Sequence, residues 1–413
     1  MTIAAKLPPR AWLIVGLLWM VGCLNYLDRV MITTMRGSLT EAIPMTDAQF
    51  GLLTSVFLWV YGLLSPFAGF LADRYNRSRV IIVSLFAWSV ITWLTAHATT
   101  FNELLITRAL MGVSEACYIP AALALIADYH RGPTRSLATG IHMSGIMVGS
   151  ALGGLGGWIA ERQGWSHAFL VFGIVGIVYT VLVAFFLRDL PAEKAPDGAA
   201  LAAVTVPNVK ITEALKSLFS RTSFILALCY WGLLGLAGWA VVGWMPTYLT
   251  EHFNLSQGAG GLSATGYLQI ASLFGVLIGG AWADRWCRTN ERGRIYVPMI
   301  GLLIAAPSIF LASSVDLLPL AIAGLILFGL NKAYTDSNMM PILCTVSDPR
   351  YRATGYGVLN LCSCIIGGIT IYAGGVLRDA QVDVSRVFQF AAVSILVCVV
   401  LLAFIKPQAT ANR

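Results

Sequence analysis

Apolar stretches of roughly 20 residues, the length an α-helix needs to cross the hydrocarbon core of a bilayer, alternate along this chain with short segments of charged and turn residues. Twelve such stretches can be delimited, at 12–35, 48–71, 80–100, 102–127, 136–160, 168–188, 222–249, 258–284, 295–314, 317–346, 352–377 and 385–406. Each predicts a spanning helix, because a helix satisfies its own backbone hydrogen bonds in a medium without water. Between the sixth and seventh, Asp189 to Ser220 is polar and carries Pro191, Pro196 and Pro207, which reads as a linker. The pattern therefore predicts an all-α membrane protein: a six-helix bundle over 1–188, a linker over 189–220 and a second six-helix bundle over 221–413.

Composition agrees: 57% of the 413 residues are hydrophobic, 11% are charged, and the mean hydropathy of +0.76 excludes a water-soluble globule. The net charge of +7 would suit nucleic acid, so the position of the charges matters. Most of the 27 Lys and Arg lie on the side of the termini and the linker, among them Arg77, Arg79, Arg131, Arg135, Arg350 and Arg352. The opposite side holds Arg36, Arg162, Arg378 and Arg386. By the positive-inside rule both termini and the linker are expected in the cytoplasm, and the protein is expected to be a multi-pass protein of a bacterial inner (plasma) membrane. The charge excess then reflects topology, and no nucleic-acid partner is expected.

Chemistry that makes or breaks bonds leaves no local mark. There is no CxxC, HxxxH or HExxH for a metal, no Walker loop or dinucleotide fingerprint, and no GxSxG elbow. Neither an enzyme, a metal nor a cofactor is expected, and most of the 8 Cys sit in apolar runs as small hydrophobes. Met1 to Arg10 leads straight into a full-length span and does not read as a cleaved signal peptide.

An internal repeat supports the division into two bundles. Gly69-Phe-Leu-Ala-Asp73-Arg74-Tyr-Asn-Arg77 after the second span returns as Gly280-Ala-Trp-Ala-Asp284-Arg285-Trp-Cys-Arg288 after the eighth. Arg135-Ser-Leu-Ala-Thr-Gly140 entering the fifth span is echoed by Arg352-Ala-Thr-Gly355 entering the eleventh. Parallel repeats of this kind normally enclose a substrate site at their interface near mid-membrane. With these loops, twelve spans and a polar centre, the whole chain resembles the major facilitator superfamily, which implies two pseudo-symmetric six-helix bundles that alternate access to a central site. Asp73, Arg74, Asp284 and Arg285, at matched positions, are expected to form a cytoplasmic gate that latches the bundles when the opposite side opens. Gly145, Gly149, Gly153 and Gly157 lie along one face of the fifth span and permit close backbone approach, and Ala271, Gly275 and Gly279 repeat the stripe in the eighth. The enclosed interface leaves no need for a partner subunit, so a monomer is expected.

Charges within the spans carry the functional reading, since each costs at least about 2.5 to 3.5 kcal/mol at mid-bilayer. The set is Asp28, Arg29, Arg108, Glu115, Lys332 and Asp336. Arg108 and Glu115 share a helix face but stand roughly 10 Å apart along the axis, so their partners are expected from the first span. Lys332 and Asp336, four apart, can pair directly. Arginine keeps its proton throughout, whereas a desolvated Asp or Glu takes one up more readily. A proton on Asp28 or Glu115 would free an arginine for an external anion and so couple the two ligands.

Asn25-Tyr26-Leu27-Asp28-Arg29, Arg108 with Glu115-Ala116 and Pro120, and Trp244-Met-Pro246-Thr-Tyr248 resemble the anion:cation symporter branch of the superfamily. That resemblance implies that Arg29 and Arg108 bind a substrate carboxylate, that Asp28 and Glu115 carry protons, and that Asn360 is a polar substrate contact. Tyr26, Tyr61, Tyr118, Trp239 and Tyr267 are candidate cavity-lining aromatics, although aromatics in spans often serve packing. Lys332 and Asp336 match no mark of that branch: Lys332 suits a second acidic group on the substrate with Asp336 as a further proton site, and the pair equally suits a tether within the tenth span. His142 reads as a packed histidine. The expected function is proton-coupled symport of a small organic anion such as a sugar acid. Asp128-Tyr-His-Arg131-Gly-Pro133 departs from the branch, and Glu115-Ala-Cys-Tyr118 with Ile126-Ala-Asp128 resembles spinster-type transporters, which implies proton-coupled lysophospholipid transport as the alternative.

Overall fold

The computed structural model describes residues 10–130, 134–189 and 211–406, with the side chains of 69–74, 211, 349 and 353 outside that description. Among the described residues, twelve helices long and apolar enough to cross a membrane follow one another. They are α1 (Ala11–Thr34), α2 (Asp47–Ala68), α3 (Arg77–Thr95), α4 (Phe101–Tyr129), α5 (Arg135–Gln163), α6 (Trp165–Phe186), α7 (Thr222–His252), α8 (Gln257–Cys287), α9 (Gly293–Ala312), α10 (Leu318–Val346), α11 (Thr354–Asp379) and α12 (Ser385–Phe404). The apolar pattern thus placed every span to within a few residues. Two short helices, Arg36–Ala42 in the first loop and Ile211–Phe219 before α7, are additions. The second buries Ala214 and Leu218, so the tail of the expected linker is helical and packed.

Local chemistry explains several helix ends. Thr100 caps α4 by accepting from the Glu103 amide, and the Glu103 carboxylate reaches back to the Thr100 amide. Asp189, just past α6, accepts from the Arg77 and Ser78 amides at 3.1 and 2.9 Å and ties the start of α3 to the end of α6. At the same end Ser223 donates to the Lys406 carbonyl at 3.2 Å, joining the start of α7 to the segment after α12. The described chain therefore starts and stops at one end of the bundle, here called the terminal end. The far end carries Arg36, Asp47, Glu251, Gln257 and Asp379.

Helices pack where side chains are small. A Cβ on Gly145 would sit 2.4 Å from the Trp19 carbonyl oxygen and one on Gly149 2.0 Å from that of Cys23, so α5 lies backbone to backbone on α1. The matching stripe in α8 turns to α10, its neighbour among the last six helices: a Cβ on Gly275 would sit 2.1 Å from the Leu330 carbonyl oxygen. Most of each stripe thus packs within its own set of six, while Gly157 at the far end of α5 also approaches the Gln257 backbone of α8 in the other set. The first and last six helices meet chiefly along α2 and α11, where Ser55 donates to the Gly368 carbonyl at 2.6 Å and Trp59 Nε1 to that of Ile365 at 3.2 Å. They also meet at the far end of α5 and α8, where Thr265 donates to the Ala151 carbonyl at 2.8 Å.

Among the described residues, three helices are interrupted in their interior in ways that the apolar pattern does not record. In α4 the helix ends at Glu115 and restarts at Tyr118. Pro120 causes this: it has no amide hydrogen for the Ala116 carbonyl, and its ring crowds that oxygen. α5 breaks at Gly153 and Gly154. Opposite it, α8 widens into a π-helical turn over Ser263–Tyr267.

Candidate functional site

The break in α4 sets Glu115 at the end of a helical segment, facing the middle of α1. Arg29 Nη2 donates to Glu115 Oε2 at 2.8 Å, and both side chains are buried. The partner expected from the first span is therefore Arg29. Its guanidinium is wrapped by aromatic faces, with the ring centres of Tyr26, Phe57 and Tyr61 at 4.4, 4.8 and 4.5 Å. These faces keep lipid and water from a charge whose neutralising carboxylate is one bond away.

Asp28 is buried one position earlier, and Thr92 of α3 donates to its Oδ2 at 3.2 Å. Its Oδ1 has no hydrogen-bond partner. Arg108, also buried, lies 5.4 Å from the centre of the Phe169 ring, within Coulombic reach of Glu115 and Asp28, and its Nε and Nη2 have no partner. A buried polar atom left unpaired costs about 1–3 kcal/mol. Such atoms are rare in settled packing. Two arginines and two carboxylates thus share one compartment, and among these four charges the bond made is Arg29 to Glu115.

A cavity of about 230 Å³ lies between the first and last six helices. Tyr26 forms one wall, and Lys332 and Asp336 of α10 form part of another, with Ser150, Gln269 and Ser363 adding polar groups. Lys332 Nζ donates to both Asp336 oxygens at 2.9 Å, as four-residue helical spacing allows. Tyr26 touches both compartments, lining the cavity and stacking on Arg29.

Several expected cavity contacts lie elsewhere. Arg29, Tyr61 and Arg108 do not line the cavity; Arg29 and Tyr61 stand behind Tyr26. Tyr118 is sealed in packing against Trp88 and His142 and donates to the Leu18 carbonyl at 2.9 Å, because the α4 break turns it into the α1 and α3 interface. Asn360 donates to Ser65 at 3.1 Å, which makes it a tie between α11 and α2. His142 is fully buried with Nδ1 3.1 Å from the Leu18 carbonyl, in keeping with a packed histidine. Of the expected gate, Asp284 pairs with Arg294 at 3.2 Å, both among the last six helices. The Asp73 and Arg74 side chains lie outside the described residues.

The far end holds a cluster that sequence reasoning missed. Arg36 pairs with Asp47 and, at 3.0 Å, with Glu251. Arg378 donates to both Glu251 oxygens at 2.9 Å and to Asp47 at 3.1 Å, closing a ring of four charges. Asp379 accepts from the Asp47 and Ala48 amides at 2.8 and 2.9 Å and caps α2 from α11. Gln257 accepts from the Ser38 amide at 2.9 Å. These bonds join the first-loop helix Arg36–Ala42 and α2 to α7, α8 and α11, so the bundle is closed at the far end. Complementary charges placed at the ends of apolar spans were the available signal.

Twelve membrane helices around a polar, charge-bearing cavity form the frame of a transporter, in which helices move and no covalent step is needed. The chain belongs to the Major Facilitator Superfamily, whose model matches residues 18–372. It is 29% identical over 399 residues to Protein spinster homolog 1 of Xenopus laevis, covering 90% of this chain and 73% of that protein. It is 28% identical over 385 residues to the probable sulfoacetate transporter SauU of Cupriavidus necator, covering 88% of each. Its fold superimposes with a TM-score of 0.76 on the crystal structure of a bacterial homologue of the human lysosomal transporter Spinster, in an inward-facing and unoccupied conformation. That match has 21% identity and covers 97% of this chain and 96% of the other. The chain is a multi-pass membrane transporter and not an enzyme.

Proposed function

We propose that this transporter carries a small organic anion, a sugar acid or similar carboxylate, together with protons. The observation that carries the proposal is the placement of Tyr26 between the cavity that Lys332 lines and the buried Arg29–Glu115 pair. An anion entering the cavity competes with Asp336 for the Lys332 ammonium. A proton on Glu115 removes the charge that holds Arg29, and the guanidinium, which keeps its own proton, becomes available to the anion once Tyr26 turns aside. Arg108 then balances Asp28 in the same compartment. Proton and anion therefore favour each other's binding, as one coupling free energy.

The two bundles are proposed to rock about this site, with the Arg36, Asp47, Glu251 and Arg378 ring closing the far end, and the repeated Asp-Arg loops closing the terminal end in the other state. The Lys and Arg distribution supports a cytoplasmic location for both termini. The anion reading is supported by the probable sulfoacetate transporter among the relatives. The spinster relative favours the alternative, a lysophospholipid. A cavity of about 230 Å³ falls below the ~300–1,000 Å³ typical of sites for larger ligands and favours the small anion.

Uptake into proteoliposomes tests the choice. Radiolabelled hexuronate or hexonate is expected to accumulate when the outside is made acidic, with Lys332→Ala raising the half-saturating concentration at least tenfold. Lysophospholipid movement without carboxylate uptake would reverse the choice, and carboxylate uptake indifferent to the pH gradient would remove the proton.

A further inference from the structure

The membrane-facing surface carries a second and larger concavity, a groove of about 460 Å³ between α3 and α4 near the terminal end. Its floor is made of small residues, Ala87 and Ser84 on α3 with Ser114 and Cys117 on α4, and its rims of Val83, Val113 and Tyr75. Val83 and Val113 are 67% and 49% exposed, so the rims face outward from the bundle. The Ser84 hydroxyl is turned onto the Ser114 carbonyl, which leaves the floor apolar toward the groove.

Arg79 stands at the mouth. It is exposed and has no ion pair among the described residues, whereas its neighbour Arg77 is held by Asp128. From Asn76 at the mouth to Ala87 at the inner end, the helix rises ~16 Å at 1.5 Å per residue. Half of the ~30 Å hydrocarbon core is about the same length. An apolar trough one leaflet deep, with an uncompensated guanidinium at its outer end and an aromatic ring beside it, matches a lipid with an anionic headgroup.

We propose that this groove is a binding site for an anionic phospholipid, with the phosphate on Arg79 and one acyl chain lying along Val83 and Ala87. The groove is distinct from the transport cavity and shares no lining residue with it. Its floor includes Ser114 and Cys117, which flank the α4 break beside Glu115, so an occupying chain braces that break from the lipid side.

Native mass spectrometry of the full chain in neutral detergent tests this, with phosphatidylglycerol and phosphatidylcholine of identical acyl chains supplied together. The wild type is expected to retain phosphatidylglycerol at least fivefold over phosphatidylcholine. Arg79→Gln should remove that preference and Arg79→Lys keep most of it, while Ala87→Phe, which fills the floor, should lower retention of both lipids. Equal retention of the two lipids by the wild type, or an undiminished preference in Arg79→Gln, would overturn the proposal. So would displacement of the lipid by millimolar inorganic phosphate, which places the affinity in the headgroup charge alone. If Ala87→Phe does not fold, the two Arg79 variants decide, since that side chain is exposed and replaceable.

Discussion

Replacing Arg378 by glutamine should unlock the far end of the bundle without loosening the rest. The substitution removes two charge-assisted hydrogen bonds to Glu251 and one to Asp47. Hydrogen bonds to charged groups contribute about 1.5–3 kcal/mol where shielded and exposed ion pairs about 0–1 kcal/mol. The two bonds to Glu251 lie within the last six helices and persist when the far end opens, whereas the bond to Asp47 joins the two sets of six; Arg378 and Asp47 are each 14% exposed, so that bond contributes about 1 kcal/mol. It exists only while α2 and α11 are together, so its loss falls on the closed state. At ~1.4 kcal/mol per factor of ten, the open state gains about 5-fold. Hydrogen exchange read by mass spectrometry reports this directly, because the Ser38, Asp47 and Ala48 amides are bonded across the closed end. Peptides covering 36–50 and 251–262 should exchange about fivefold faster in Arg378→Gln, while the Asp189-capped start of α3 stays unchanged. High salt should mimic part of the effect in the wild type. Unchanged exchange at the far end, or equal acceleration everywhere, would refute the reasoning.

Other outcomes follow from single contacts. Gly149→Ala places a methyl on the Cys23 carbonyl and should lower stability by about 1–3 kcal/mol, read as a lower unfolding temperature with an unaltered oligomeric state. Pro120→Ala restores an amide donor for the Ala116 carbonyl; straightening α4 should cut carboxylate uptake at least tenfold while leaving the melting temperature equal or higher. Tyr118→Phe loses only the bond to Leu18 and should cost about 1 kcal/mol of stability with an unchanged half-saturating concentration for uptake. A tenfold rise in that concentration would return Tyr118 to the substrate path.

The spans were legible because lipid imposes a single rule, continuous apolarity over about 20 residues, and the sequence obeys it twelve times. Charges inside spans were equally legible, since an unexplained guanidinium or carboxylate in an apolar run needs a partner. Glu115 was thereby drawn to the first span, and Lys332 to Asp336, from spacing and cost alone. What spacing did not reveal is which side of a helix faces which neighbour. The rotation of α4 below its break hides Tyr118, and the stacking of Tyr26 on Arg29 withdraws that arginine from the cavity. Pro120 was visible, but the consequence for Glu115 needed the helix end itself. The ring of Arg36, Asp47, Glu251 and Arg378 escaped notice because its members sit in loops and at span ends, where charge is unremarkable until three-dimensional packing gathers it.

The central claim is that Glu115 trades its bond with Arg29 for a proton when an anion binds. Adding saturating hexuronate to the purified protein in weakly buffered solution near neutral pH, with a pH indicator, measures that exchange. The wild type should take up about one proton per bound anion, and Glu115→Gln should bind the anion with no proton uptake. Anion binding without proton uptake by the wild type, or equal uptake by Glu115→Gln, would contradict it.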